Sequence, residues 1–262
     1  MQATRSQLNT VWVAVVLLVG LVGMSSPALA AGGAAGVMQH ANNELENTGS
    51  LQRGARNFMN YCVGCHSMQY VRYNRIAQDL GLDEDQVREN LIFGVDKINS
   101  TVTTAMTKEQ SKAWFNAAPP DLSLTARSRG SDWIYTYLKS FYLDDSRTFG
   151  VNNKLLEGSS MPHVLWELQG FQKAVYRDEA FVDEEGQEQT RQVFDHFEMV
   201  EEGSLSPDEF SGFARDITNF MEYAAEPIKL KRQRLGMMVL AFLLVLAVLS
   251  YALKVEYWKD IH

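Results

Sequence analysis

Cys62-Val63-Gly64-Cys65-His66 decides what kind of chain this is. Two thiols separated by two residues and followed at once by a histidine form the arrangement that holds a c-type haem. Each cysteine adds across a vinyl group of the porphyrin and the imidazole ligates the iron. These are the only cysteines in 262 residues, so a zinc site built on two Cys pairs lacks its soft ligands. A dithiol redox pair or a plain disulfide is the simpler alternative. The histidine directly after the second thiol, and the lack of a strand-helix-strand pattern around it, weigh against both.

Two apolar runs frame the chain, which at 46% hydrophobic content is long enough to bury one substantial core. Met1–Ala30 carries the single base Arg5, an apolar stretch from Val11 to Val22 and the small-residue ending Pro27-Ala28-Leu29-Ala30. That is the layout of a secretory signal peptide, with an uncleaved anchor as the alternative, for which the run is short. Export suits covalent haem attachment, which takes place on the outer side of the bacterial inner membrane. Leu235–Leu253 holds 19 residues without a charge. At about 1.5 Å per residue the run covers about 28 Å, close to the hydrocarbon thickness, and it is expected to span. A core helix rarely stays apolar on every face over that length.

The organisation expected is a signal peptide over 1–30, a periplasmic c-type haem domain over 31–228, a basic juxtamembrane segment over 229–234, a transmembrane anchor over 235–253 and a cytoplasmic tail over 254–262. Such a protein crosses the bacterial inner membrane once. Tyr257 and Trp258 fall where an interfacial aromatic belt belongs. Charge placement argues the other way. Lys229, Lys231, Arg232 and Arg234 precede the span, while Lys254 and Lys259 follow it beside Glu256 and Asp260, and the positive-inside rule favours the reverse topology. A long exported domain takes precedence and fixes the outward side. Without Arg5 the chain carries a formal charge of −9, one below the −8 of the full sequence. Such a surface excludes nucleic acid as a partner and suits a basic protein, although solubility alone would account for it as well.

Within the exported part, Gly54, Phe58 and Cys62 recur every four residues and line one face of a helix expected over Leu51–Met68, up to the haem motif. The small residue lets another helix cross closely. A further helix is expected around Asp83–Phe93, and loop with a short helix over Thr101–Trp114. In Asn116–Leu124 the pair Pro119-Pro120 fixes φ and forces the preceding residues into extended geometry, which can hold a backbone carbonyl in place. Iron-bound histidines usually donate their second ring N–H to a carbonyl or carboxylate. Pro120 is the candidate acceptor, an ordinary turn being the alternative. Arg127 and Arg129 could pair with haem propionates, with Trp133 near by. Gln169–Gly203 alternates and is acidic, which predicts a hairpin turning at Glu184-Glu185-Gly186, with Phe194 and Phe197 burying one edge. Ser206-Pro207-Asp208-Glu209 has the serine cap, first-turn proline and following glutamate of a helix start. Phe210, Phe213, Ile217, Phe220 and Met221 then share one face of a helix that ends towards Pro227 and is expected to cross the Gly54–Phe58 segment.

An iron that carries electrons needs a sixth ligand. Outside the apolar runs the residues able to supply it are Met38, Met59, Met68, Met106, Met161, Met199 and Met221, with His40, His163 and His196. Met59 and Met68 sit too near the motif to reach the opposite haem face. Met161 stands out, in a loop from Gly158 to Trp166 with small residues before it and Pro162 after it. His163 competes with it, and a lone methionine also serves simply as packing.

Taken in order, Cys62–Met68, Pro119–Ser123, Met161–Leu168 and Ala224-Ala225-Glu226-Pro227 ahead of a basic stretch and one anchor resemble the cytochrome c1 family. These are the haem subunits of the bc1 complex, ubiquinol-cytochrome c reductase, and the likeness is to the proteobacterial form over nearly all of the exported chain. The resemblance implies a mainly α fold: a cytochrome c-type haem domain with loop and small β-hairpin insertions, plus one C-terminal transmembrane helix. It implies one haem c bound through Cys62 and Cys65, with His66 and Met161 as axial ligands. Pro120 would accept from the His66 ring, Leu122 would pack on the haem, and Arg129 with Trp133 would face the propionates. Cytochrome b and a Rieske iron-sulfur protein are implied as partners in a dimeric membrane complex, with a soluble cytochrome c as acceptor. By itself the chain would be no enzyme but the electron-transfer subunit of one. Two other readings stay open: a membrane-anchored monohaem cytochrome c feeding a terminal oxidase, and a haem sensor or peroxidase with an open sixth site.

Overall fold

The computed structural model describes residues 38–94, 97–182 and 186–259. The expected signal peptide, and Glu184 and Glu185 of the expected hairpin turn, lie outside them. Helix α1 (Thr48–Tyr61) opens at Asn47, whose side chain accepts from the Ser50 N–H. A later helix, Pro207–Ala225, lies across it and starts as its sequence prescribes. The Ser206 side chain accepts from the Glu209 N–H while the Glu209 carboxylate accepts from the Ser206 N–H. The two helices meet at Gly54, where a Cβ would stand 2.0 Å from the Asp216 carbonyl oxygen and 2.7 Å from Phe220 Cβ. Only a glycine admits that approach. Phe58 and Phe220 are fully buried at the crossing with ring centroids 5.8 Å apart, and Leu51, Met59, Ile217 and Met221 complete the core around them. A polar clasp fixes the register. Asp216 accepts from Arg53 Nε and from the Ser50 hydroxyl, each at 2.6 Å, and the Asn219 amide donates to Ser50 at 3.0 Å.

Helix α1 does not continue to Met68. At Cys62 the chain tightens into a turn, with the His66 N–H donating to the Cys62 carbonyl at 2.8 Å. Met68 instead opens strand β1 (Met68–Arg72), which pairs antiparallel with a short β2 (Thr101–Val102). Between them lie α2 (Tyr73–Leu80) and α3 (Glu84–Asn90), the latter capped by Asp83 and ending short of Phe93. Next come α4 (Lys108–Phe115), α5 (Thr125–Arg129) and α6 (Ser131–Lys139), then the antiparallel pair β3 (Phe141–Leu143) and β4 (Val151–Asn153). After the short α7 (Trp166–Gln169), β5 (Gly170–Val182) and β6 (Glu188–Glu202) form the long hairpin. Its Phe194 and Phe197 are half-buried, 4.8 Å apart, and Phe197 reaches Tyr142 of β3. The helix Pro207–Ala225 is α8.

Helix α9 (Lys229–Tyr257) follows after a break at Pro227-Ile228 and buries none of its side chains. It is long and apolar enough to cross a membrane. Three cations at its foot pair with acids of the domain: Lys229 with Glu222, Arg232 with Glu226 and Arg234 with Glu46. Glu222 also accepts from Asn43 and from Ser131, both at 2.6 Å. The described residues thus form a mainly helical domain with three two-stranded sheets and one C-terminal apolar helix, in agreement with the expected fold class.

Candidate haem site

Cys62 caps the C-terminus of α1, its N–H donating to the Phe58 carbonyl, and neither Cys62 nor Cys65 is in a disulfide. Burial, with Cys65 adding to it, pushes the Cys62 thiol up to about 12, and burial raises Cys65 as well. Redox-active Cys-x-x-Cys pairs depend on a lowered thiol pKa, so the environment speaks against that alternative. His66 is buried, and its Nδ1 lies 2.8 Å from the Pro120 carbonyl oxygen. A carbonyl can only accept, so the ring carries its proton on Nδ1 and leaves the lone pair on Nε2. Burial lowers the pKa of His66, against the opposing pull of the Pro120 carbonyl and the Asp121 charge. The ring is therefore held in the neutral form that ligates metals.

The Pro120 carbonyl owes its position to a seam between residues 66–70 and 120–123. The Leu122 N–H donates to the Ser67 carbonyl at 2.8 Å, the Gln69 N–H to the Asp121 carboxylate at 2.9 Å, and the Tyr70 N–H to the Ser123 hydroxyl at 3.1 Å. Asp121 also accepts from the Ser123 N–H at 2.9 Å. Leu122 itself is half-buried and packs against the core. Thr104, from a stretch whose sequence carries no functional signal, secures the motif from the other side. Its hydroxyl donates to the Gly64 carbonyl at 2.7 Å and its N–H to the Ser67 hydroxyl at 3.0 Å.

A second group of residues assembles on α6. Trp133 and Tyr137, four residues apart on one helix face, stack at 5.1 Å and 8°, and the Arg129 guanidinium lies 5.2 Å from the Trp133 ring centroid. The Tyr137 hydroxyl bonds Ser159 at 2.7 Å, and Ser159 in turn accepts from the Met161 N–H at 3.3 Å. The loop leading to Met161 has no regular structure and is held by side chains. Buried Asn153 accepts from the Leu155 and Leu156 N–H groups at 3.0 and 3.2 Å and donates to the Tyr137 carbonyl at 2.8 Å. Asn152 accepts from the Gly158 N–H at 2.9 Å, and Arg147 donates to the Gly158 carbonyl at 2.8 Å. Sequence alone does not single out Tyr137, Asn152, Asn153 or Ser159, because residues of these types are common at turns and on helix faces.

The other candidate ligands fall in several environments, and of these Met106 is joined to the thiol turn through Thr104. Met59, Met68 and Met221 fill the core, and Met38 and Met199 are exposed. His40 pairs with Asp132 and His196 with Asp195. Met106 is half-buried, its N–H donating to Thr104. His163 stacks on Phe141 at 5.0 Å, and burial lowers its pKa to about 4 against the pull of the Gly170 backbone. Arg127 is exposed and acts on Glu226 at the foot of α9.

Two thiols on one turn and an adjoining imidazole with its Nδ1 proton engaged fit a haem, and the Met161 thioether is carried by the separate loop that Ser159 braces. Known proteins of the same kind agree. The Cytochrome C1 family matches residues 40–92 and 95–261. Cytochrome c1 of Allochromatium vinosum is 52% identical over 239 residues, covering 91% of this chain and 96% of its own length. The ammonia monooxygenase gamma subunit of Nitrosomonas europaea is 41% identical over 213 residues, 81% of this chain and 84% of its own. Cytochrome b/c1 of Bradyrhizobium diazoefficiens is 26% identical over 244 residues, 82% of this chain and 34% of its own. With the family matched on both sides of residues 93–94 and almost to the C-terminus, this chain belongs to the cytochrome c1 family.

Proposed function

We propose that this chain is the haem-bearing electron-transfer subunit of a bc1 complex, taking one electron from a Rieske iron-sulfur protein and passing it to a soluble cytochrome c. The observation that carries the reading is the His66 ring, buried beside two free thiols and fixed by the Pro120 carbonyl at 2.8 Å. Cys62 and Cys65 would hold the haem by thioether bonds, His66 and Met161 would ligate its iron, Leu122 would pack on it, and Arg129 with Trp133 would face the propionates. When bound, such a group would supply a one-electron couple, and ligation by a thioether and an imidazole would give it a higher potential than ligation by two imidazoles. The Pro120 carbonyl fixes the plane of the His66 ring and makes Nε2 more basic.

The name of the Bradyrhizobium relative joins b and c1, which supports a cytochrome b partner. Residues 1–30 read as a signal peptide, which supports an outward-facing domain in the bacterial inner membrane, anchored by α9; the resemblance to the family adds the expectation of a dimeric complex. The basic residues that precede the span have a task consistent with that side, since Lys229, Arg232 and Arg234 hold carboxylates of the domain. The Nitrosomonas relative bears a different name, and it favours a second reading in which the same haem domain serves another membrane-bound oxidation complex.

Extraction of the full-length protein from its native membrane tests the choice. The expected result is a c-type band co-purifying with cytochrome b and a Rieske protein, and a ferrous form that does not bind carbon monoxide. Recovery with a monooxygenase or a terminal oxidase in place of cytochrome b would overturn the assignment of the complex. Met161→Lys should lower the midpoint potential sharply and stop turnover; an unchanged potential would move the sixth ligand elsewhere.

A further inference from the structure

Resting on the reading of Met161 as the sixth ligand, we propose that the Tyr137 hydroxyl is a positioning group for that ligand, acting through Ser159. Methionine has three rotatable bonds and adapts to its surroundings, so a thioether on an irregular loop keeps one place only if the backbone beneath it is fixed. Asn152, Asn153 and Arg147 pin the loop as far as Gly158, and the Ser159 N–H donates to the Leu156 carbonyl at 3.2 Å. The next hold on the backbone is the Ser159 hydroxyl, which accepts from the Met161 N–H at 3.3 Å. A serine hydroxyl turns freely about one bond unless something engages it. Tyr137 does so at 2.7 Å.

Tyr137 is itself well placed to impose that choice. Its ring stacks on Trp133, Trp133 lies under Arg129, and its own carbonyl is bonded by buried Asn153. Arg129, Trp133, Tyr137, Ser159 and Met161 therefore form one continuous strut. It joins the residues assigned to the propionates with the residue assigned to the iron. Trp133 and Tyr137 meet because they sit four apart on α6, and the strut needs no haem atom to hold it together.

The test compares Tyr137→Phe, Ser159→Ala and Ser159→Thr in the full-length haem protein in its native membrane, with Met161→Lys as reference. Tyr137→Phe keeps the ring stack and removes only the hydroxyl. Three signals are read: the methionine-to-iron charge-transfer band of the ferric protein, the midpoint potential, and the rate at which cyanide displaces the sixth ligand. Tyr137→Phe and Ser159→Ala should weaken the band, lower the potential and speed displacement about fivefold, the equivalent of one neutral hydrogen bond. Ser159→Thr, which keeps a hydroxyl, should restore all three. If both hydroxyl-removing variants match the parent in these signals while Met161→Lys abolishes the band, the positioning role is wrong and the ligand stands. If Met161→Lys leaves the band intact, the ligand assignment falls and this inference falls with it.

Discussion

Pro120 contributes a carbonyl and no side-chain chemistry, yet it fixes which nitrogen of His66 is free. Its role can be suspected from sequence because consecutive prolines restrict the backbone before any fold is known. Asp121, which makes the arrangement hold, carries no such mark; it accepts from two backbone N–H groups, of Gln69 and Ser123, that only the folded chain brings together. Asp121→Ala should destabilise the haem protein by about 1 to 2 kcal/mol, measured by denaturant titration, and should lower the potential as the Pro120 carbonyl loosens. Asp121→Ser, which keeps one acceptor, should fall between the two. Met161 stands out through its neighbours Ser160 and Pro162, whereas Tyr137 is 22 residues upstream of the Ser159 it bonds and is linked to it by no local pattern.

Among the elements, those with local signals are legible and those ended by tertiary contacts are not. The start of α8 is readable from Ser206, Pro207 and Glu209, since the capping box is written within four residues. The end of α1 is misplaced from sequence because its four-residue periodicity runs on through Cys62, while the strand that follows depends on Thr101–Val102 and the turn between is braced by Thr104, all far along the chain. The crossing of α1 and α8 gives a sharp contrast between two glycines. Gly54→Ala would drive a Cβ into the Asp216 carbonyl and should cost about 3 kcal/mol. At Gly212, also in α8, a Cβ would meet open space, with no neighbouring atom within 4 Å, so Gly212→Ala should stabilise by up to about 1 kcal/mol. Thermal unfolding of the two variants side by side checks both signs.

At the scale of the whole molecule, the junction between domain and anchor turns on Glu222. Its burial works to raise its pKa, but Lys229, Ser131 and Asn43 outweigh this and hold the carboxyl below the ordinary glutamate value of 4.5. The folded form thus binds the proton less tightly than the unfolded one, so the contribution to stability is complete above pH 4.5 and is lost as pH falls through the lower folded-state value. Glu222→Gln should flatten the acid branch of a stability-against-pH profile recorded in detergent, leaving the neutral region lower and less dependent on pH. The apolar run of the anchor is plain from composition; the partners of the cations before it are not, because Glu46 lies 188 residues from Arg234. A carboxylate engaged by three separate segments works as the pin of a bracket. The foot of the anchor is thereby tied to the domain across the three residues, 226–228, that separate α8 from α9, so Glu222→Gln should also loosen that junction.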